Sequence, residues 1–245
     1  MMHQHMPIAM LHHVSNREDW ASLSPFIIRD ETFTRFLDAV EAAGKRTINF
    51  RQLHEGHEKS RRDVIITFDD CGKHLLDFAI PELIRRNMTA VFYIPTANIG
   101  GYNSWNVADD KSRLELMDAA DLKALERDGM EVGSHSHDHI HLDEVSVEEV
   151  EQQLRTSQSV LTQVLGHPAI SMAYPYGGIP KSTGLLKSCG FHAACSIFSP
   201  RQDCWTQRRF IVHDGDSNMT LRLKLNRAYS LYRGWYDRRI EQRAS

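Results

Sequence analysis

Three short segments carry residue types that could do chemistry together. In the first, Ile65-Ile66-Thr67-Phe68 runs into two adjacent carboxylates, Asp69 and Asp70. Two carboxylates at one site suit metal binding by one and proton transfer by the other. In the second, Glu131-Val132-Gly133-Ser134-His135-Ser136-His137-Asp138-His139, two imidazoles stand four residues apart. On a helical turn His135 and His139 share a face and can ligate one ion. His137 points away if the turn is helical, and toward the same side as both if it is extended. Two imidazoles and one carboxylate make a three-ligand site with open positions for water and substrate. The third is Met172-Ala173-Tyr174-Pro175-Tyr176-Gly177-Gly178. Pro175 fixes φ, and the glycines let the backbone turn sharply and approach a ligand. A backbone N–H there could donate to an oxyanion.

Each segment alone has a plainer explanation: acids that cap a helix or sit in water, a polar loop rich in histidine, an ordinary turn. Together they are more specific. Each lies at the C-terminal end of a predicted strand, the edge where active sites of β/α folds assemble.

The elements that must position them alternate along the chain. Strands are predicted at 7–14, 47–50, 64–68, 89–94, 130–133, 170–174, 191–196 and 210–213. Helices are predicted at 30–43, with Asp30 as N-cap, and at 75–86, 118–127, 147–165 and 184–188. Repeated β-α units mean a parallel sheet covered by helices, as a (β/α) barrel or an open doubly wound sheet. No GxGxxG or Walker loop follows a strand, so a nucleotide-binding open sheet lacks support. Residues 98–111, with Gly100-Gly101, Asn103 and Trp105, read as an ordered insertion loop over a site.

Composition narrows the classes. Of 245 residues, 41% are hydrophobic and 25% charged, as in a globular chain able to bury a full core. A net charge of −3 argues against a generally basic nucleic-acid binder. No apolar run approaches the roughly 20 residues that span a bilayer. Met1-Met2-His3-Gln4-His5 has neither a basic n-region nor an apolar h-region, so a cytoplasmic location is expected. Cys71, Cys189, Cys195 and Cys204 form no CxxC pair and read as reduced thiols. Residues 219–245 differ: seven Lys/Arg face only Asp237 and Glu241, interleaved with Leu221, Leu225, Tyr229, Tyr232, Trp235 and Tyr236. This tail reads as a docked helix with a solvated basic face, or as a surface that meets anionic lipid or a phosphorylated substrate carrier on the inner membrane face.

On the three motifs the chain resembles the polysaccharide deacetylases of the NodB-type carbohydrate esterase family, over roughly residues 7–215. Met10-Leu11-His12-His13-Val14 is similar to the N-terminal strand of members linked to exopolysaccharide synthesis. The resemblance implies an α/β fold, a distorted (β/α) barrel of about seven or eight strands over 1–218. It implies removal of acetyl groups from acetamido sugars with one divalent metal ion. Zinc is expected, and a His2Asp set also admits cobalt, nickel, iron or manganese. By resemblance Asp69 is the general base, Asp70, His135 and His139 are the ligands, and Tyr176 supplies an oxyanion-hole N–H. Tyr174, Pro175, Gly177, Trp105 and His12 are expected against the substrate. Two departures stand out. Met172 and Ala173 occupy the region where the family often has a base-orienting arginine. The late Leu-x-Leu-His segment is replaced by Arg209-Phe210-Ile211-Val212-His213, which makes His213 the expected general acid and His12 the second candidate. The expected substrate is an acetylated sugar or glycan precursor, nucleotide-linked, lipid-linked or soluble. The competing readings are an O-acetyl esterase and a carbohydrate-binding scaffold with a degenerate site.

Overall fold

The structure is a computed structural model that describes residues 6–17, 26–106, 113–199, 203–226, 228, 229, 232 and 236. Its main sheet is parallel throughout. It contains β1 (Ile8–Leu11), β4 (Arg46–Thr47), β5 (Asp63–Asp69), β6 (Val91–Ile94), β7 (Glu131–Ser134), β8 (Ser171–Ala173), β9 (Ala193–Ser196), β10 (Gln207–Arg208) and β11 (Phe210–Ile211). Their order is β10-β9-β8-β7-β6-β5-β1-β11, with β4 set against β5. A separate pair, β2 (His13–Val14) and β3 (Ile27–Ile28), lies outside this path.

The two ends of the path are halves of one stave. Residues 207–208 pair with β9, residues 210–211 pair with β1, and Arg209 is the joint between them. This bent stave brings the sheet round into a distorted (β/α) barrel, and the open-sheet alternative falls away. The apolar pattern predicts a strand at 210–213, and β10 is an addition to it.

Alternation divides the core in two. Odd residues of β5 and β6 face the barrel axis, and Ile65, Val91 and Tyr93 pack there with Ile8, Ala173 and Cys195. Even residues such as Val64, Ile66, Phe68 and Phe92 face outward and are covered by helices. The same rule puts Asp69, the last residue of β5, on the inner face. Gly133 in β7 is required by this interior: a Cβ there would lie 2.6 Å from the Tyr93 ring and 2.8 Å from the Ser171 carbonyl oxygen. Gly133→Ala is expected to destabilise the barrel by about 1–3 kcal/mol through overpacking, measured as a fall in denaturation midpoint.

The covering helices follow their sequence signals. α1 (Asp30–Ala42) buries Phe33, Phe36, Leu37 and Val40 at helical spacing. Its N-cap is Arg29, not Asp30, whose carboxylate accepts instead from the Asn16 side chain. Of the expected strand at 47–50 only Thr47 is kept, in β4, and a short α2 (Phe50–His54), not predicted, begins at its last residue; the Asn49 and Gln52 side chains close a capping box around its first turn. The helix predicted at 75–86 splits into a 3-10 turn at Lys73–Leu76 and α3 (Ala79–Arg85). Pro81 then sits in the first turn of α3, where its missing N–H costs no helical bond. α4 (Ala119–Arg127) matches the helix predicted at 118–127, with Asp118 as its N-cap, and α5 (Val147–Leu165) runs from the Ser146 cap to Gly166 at φ 86°. α6 (Gly184–Ser188) matches its prediction, and α7 (Asn218–Lys224) docks on α1. Arg227, Arg233, Trp235, Arg238, Arg239 and Arg243 of the basic tail lie outside the described residues, as do 107–111 of the insertion loop. Among the described residues, no helix is long and apolar enough to cross a membrane.

Candidate active site

The three motifs meet at the C-terminal edge of the barrel, and left-handed backbone is concentrated there. Of six non-glycine residues with positive φ among the described residues, five are Asp70 (71°), Cys71 (54°), Ser136 (62°), His139 (56°) and Tyr176 (57°). Such conformations are disfavoured for L-residues and persist where surrounding contacts impose them. Their effect is geometric. Asp69 faces the mouth by strand alternation, and the turn at Asp70 swings the next side chain back to the same mouth instead of to the outer face.

Asp70, His135 and His139 each offer a ligand atom, and these atoms lie within 4.8 Å of one another. Asp70 Oδ1 is 3.4 Å from His139 Nε2 and 3.7 Å from His135 Nε2. It is buried and accepts no hydrogen bond. His135 Nδ1 is 2.8 Å from the Ala173 carbonyl, which fixes the ring with its proton on Nδ1 and a lone pair on Nε2. Burial, opposed by Asp69, holds the His135 pKa down to about 4, so the ring is neutral near pH 7 and free to donate that pair. An orphaned carboxylate oxygen facing two imidazole nitrogens fits a divalent cation of the nitrogen- and oxygen-liking kind.

The loop that presents the histidines is held from below. Gln153 of α5 accepts from the N–H groups of His137 and Asp138, and the Ser136 hydroxyl accepts from the His139 N–H. His137 turns away from the cluster, its Nδ1 2.8 Å from the Thr96 hydroxyl.

Asp69 is the most constrained carboxylate of the mouth. Arg209 donates to it in a bidentate pair, 2.6 Å to Oδ1 and 2.7 Å to Oδ2, with both side chains buried. The same guanidinium donates to Thr67 at 3.1 Å. Burial alone would raise the Asp69 pKa, but the Arg209 charge, with His135 and His12, more than offsets it and holds the carboxyl below its usual range. A guanidinium of the kind expected just before Tyr174-Pro175 is thus placed against Asp69 by the joint of the closing stave. In the sequence Arg209 reads only as the residue that opens the segment Arg209-Phe210-Ile211-Val212-His213. The signal was there: of the neighbours Arg208 and Arg209, alternation sends one inward, toward a buried acid in need of a cation.

His12 follows β1, and its Nε2 is 3.8 Å from Asp69 Oδ2. Its neighbour His13 is fully buried, with a pKa lowered to about 3 by burial and then by His74. His213, the expected general acid, is not brought to this mouth. It is exposed, its N–H donates to Asp216 Oδ2, and it lines a cavity of about 100 Å³ with Arg209, Phe198, Lys224 and Tyr229 that holds none of Asp69, Asp70, His135 and His139. The cause is that β11 ends at Ile211, two residues short of the predicted strand end, so the chain has already left the barrel at 213.

The Pro-Tyr loop divides its residues. Tyr174 is fully buried and donates to the Trp205 carbonyl at 2.8 Å, so its side chain packs the core instead of meeting a ligand. Pro175 is likewise buried and shapes the turn. Gly177 is pressed against Ile197, 3.3 Å from where a Cβ would stand. Tyr176 is 49% exposed at the rim, its ring edge-on to His139 at 4.8 Å and stacked on His141 at 3.9 Å. Trp105 stacks on the other side of His139, with centroids 4.2 Å apart and planes at 17°.

Comparison with known proteins bears on family and fold. Residues 56–194 match the family described as Polysaccharide deacetylase. Among solved structures, the fold is similar to a Streptococcus pyogenes deacetylase, PplD, in complex with acetate, at 17% identity and TM-score 0.76, covering 90% of this chain and 98% of that one. It is similar to IcaB from Ammonifex degensii, at 19% identity and TM-score 0.74, covering 91% and 97%. It is also similar to the BpsB deacetylase domain from Bordetella bronchiseptica, at 17% identity and TM-score 0.65, covering 85% and 96%. At these identities the likeness is one of fold. No curated protein sequence matches the chain.

Proposed function

The chain belongs to the polysaccharide deacetylase family, and on that footing we propose that it hydrolyses the N-acetyl group of an acetamido sugar in a glycan or glycan precursor, using a divalent ion held by Asp70, His135 and His139. The observation that carries this reading is the convergence of the orphaned Asp70 Oδ1 with two imidazole nitrogens, beside a second carboxylate locked by Arg209. An ion in that position supplies Lewis acidity, polarising the acetyl carbonyl and making water a better nucleophile near neutral pH.

The chain's own residues do the rest. Asp69, kept ionised by Arg209, accepts a proton from the attacking water. The Tyr176 N–H is offered to the carbonyl oxygen as its charge develops. The C–N bond breaks only if the amine nitrogen gains a proton, since an amide anion is a very poor leaving group. His12, in reach of Asp69, is the donor in this scheme. The products are acetate and a free amine. An ester needs less help from the acid, because an alkoxide leaves more readily than an amide anion.

That difference gives a test. Acetate release is measured from an N-acetylglucosamine oligosaccharide and from an O-acetylated glycan, with ion-stripped and ion-restored protein. Activity on the first substrate, lost with the ion and regained with it, supports the proposal. Release from the O-acetylated glycan alone favours the esterase, and glycan binding without release favours a scaffold. His12→Gln is expected to lower kcat on the N-acetyl substrate by about 100-fold and to affect ester hydrolysis much less. His213→Ala is expected to stay within about twofold of wild type, since exposed substitutions away from a site have small effects. The reverse ranking of these two variants would return the acid role to His213.

A further inference from the structure

The two histidines of the cluster are held in different ways. His135 has the usual support of a metal-binding imidazole, a hydrogen bond from its remote nitrogen to a carbonyl oxygen. His139 has no such support. Its Nε2 is the atom turned toward Asp70, and its Nδ1 is buried without a hydrogen-bond partner. Its ring is instead enclosed by other rings: the Trp105 indole against its face, and His135 and Tyr176 edge-on at 4.9 and 4.8 Å. A stacked indole leaves the ring free to slide but not to flip or tilt, and tilt is what a ligand must not do. Backbone strain adds to the need, since His139 sits at φ 56°.

We infer that Trp105 is a positioning residue for the ion, its indole face setting the orientation of the His139 ring in place of the missing hydrogen bond. This rests on the reading of Asp70, His135 and His139 as ligands. It gives the insertion loop a role distinct from touching substrate. Trp105 lies in a 3-10 turn, Ser104–Asn106, whose approach is pinned by Asn98 donating to the Tyr102 carbonyl and the Ser104 hydroxyl. A loop over 30 residues before His139 in sequence thereby reaches the ion through one ring contact.

The test compares wild type with Trp105→Phe, which keeps an aromatic face, and Trp105→Leu, which keeps apolar volume without one. Cobalt and zinc affinities are measured by chelator competition, with thermal melting of the ion-free proteins as a control for folding. Trp105→Leu is expected to bind the ion about tenfold more weakly, within the range for lost supporting contacts of a ligand, while its ion-free melting stays near wild type. Trp105→Phe is expected to recover most of that affinity. Cobalt should quench tryptophan emission in wild type and much less in Trp105→Phe, because the indole against His139 is then gone. Equal ion affinity in all three proteins, with only KM altered in Trp105→Leu, would overturn the positioning role and leave Trp105 a substrate contact. Wild-type protein that takes up no ion at all would overturn the ligand reading itself, and this role with it.

Discussion

Asp70→Asn is expected to remove the bound ion and to lower kcat/KM by about three orders of magnitude or more, the several kcal/mol of Lewis-acid stabilisation converted at about 1.4 kcal/mol per tenfold. The size of the accompanying stability change is the sharper test. Most substitutions of a buried polar group leave a partner unsatisfied and destabilise the fold. Asp70 Oδ1 has no such partner to lose. Neutralising it in ion-free protein removes a desolvated charge but also its attraction to His139 and its neighbours, which holds the Asp70 carboxyl below its usual range, so the two effects oppose and Asp70→Asn should melt close to ion-free wild type. Asparagine is the suitable replacement because it tolerates the left-handed backbone at φ 71° better than alanine. Metal content by elemental analysis, acetate release and thermal melting are read on the same preparations. A variant that keeps a stoichiometric ion would sink the assignment of Asp70 as a ligand.

Arg209→Met should damage both activity and stability, and the pH dependence separates the causes. In wild type the two guanidinium bonds satisfy a buried carboxylate. Without them Asp69 is left buried and uncompensated, which costs about 3–5 kcal/mol for a broken buried pair. The Asp69 carboxyl in the folded wild type titrates below its usual range. Its contribution to stability is therefore present above the unfolded carboxylate pKa of about 3.9 and is lost as pH falls through the folded value. In the variant burial dominates and the folded pKa rises, so the deficit is largest near neutral pH and shrinks on acidification. The acid limb of kcat/KM should move to higher pH, and kcat should fall by about 100-fold as the base loses its orientation. Arg209→Lys keeps the charge but only one of the two bonds and should fall between. Melting curves and rate profiles from pH 4 to 9 check these expectations. An acid limb that stays in place while activity falls would argue that Asp69 is not the titrating base.

Much of this mouth was legible in the sequence because its parts obey local rules. Val64–Phe68 is a β-branched run that can only be a buried strand, and a strand that ends in Asp69-Asp70 delivers two acids to one edge. The four-residue spacing of His135 and His139 survives because the turn between them closes on Ser136 and leaves His137 to Thr96. What was not legible depended on distant partners. Arg209 is 140 residues from Asp69, and nothing near it in sequence says which way it points until the barrel closes. His213 misled because the strand pattern 210–213 looks continuous, whereas the stave stops at Ile211 and Asp216 draws the next residues into a turn. Tyr174 misled for a related reason: its place beside Pro175 suggests a ligand loop, but strand alternation carries its ring under the surface to Trp205.

The closing stave also sets an order of events during synthesis. β1 emerges first and finds β5 as a neighbour after about 55 residues, but its other edge waits for Phe210 and Ile211. Domains assemble as their segments leave the ribosome, and long-range pairing comes last. Until residues 207–211 arrive, the barrel is an unclosed curl and Asp69 has no cation. In that interval the carboxylate lacks the two hydrogen bonds that Arg209 gives it in the closed barrel. The joint at Arg209 thus couples closure to charge: the peptide that seals the wall is the one that brings the buried carboxylate its counter-ion.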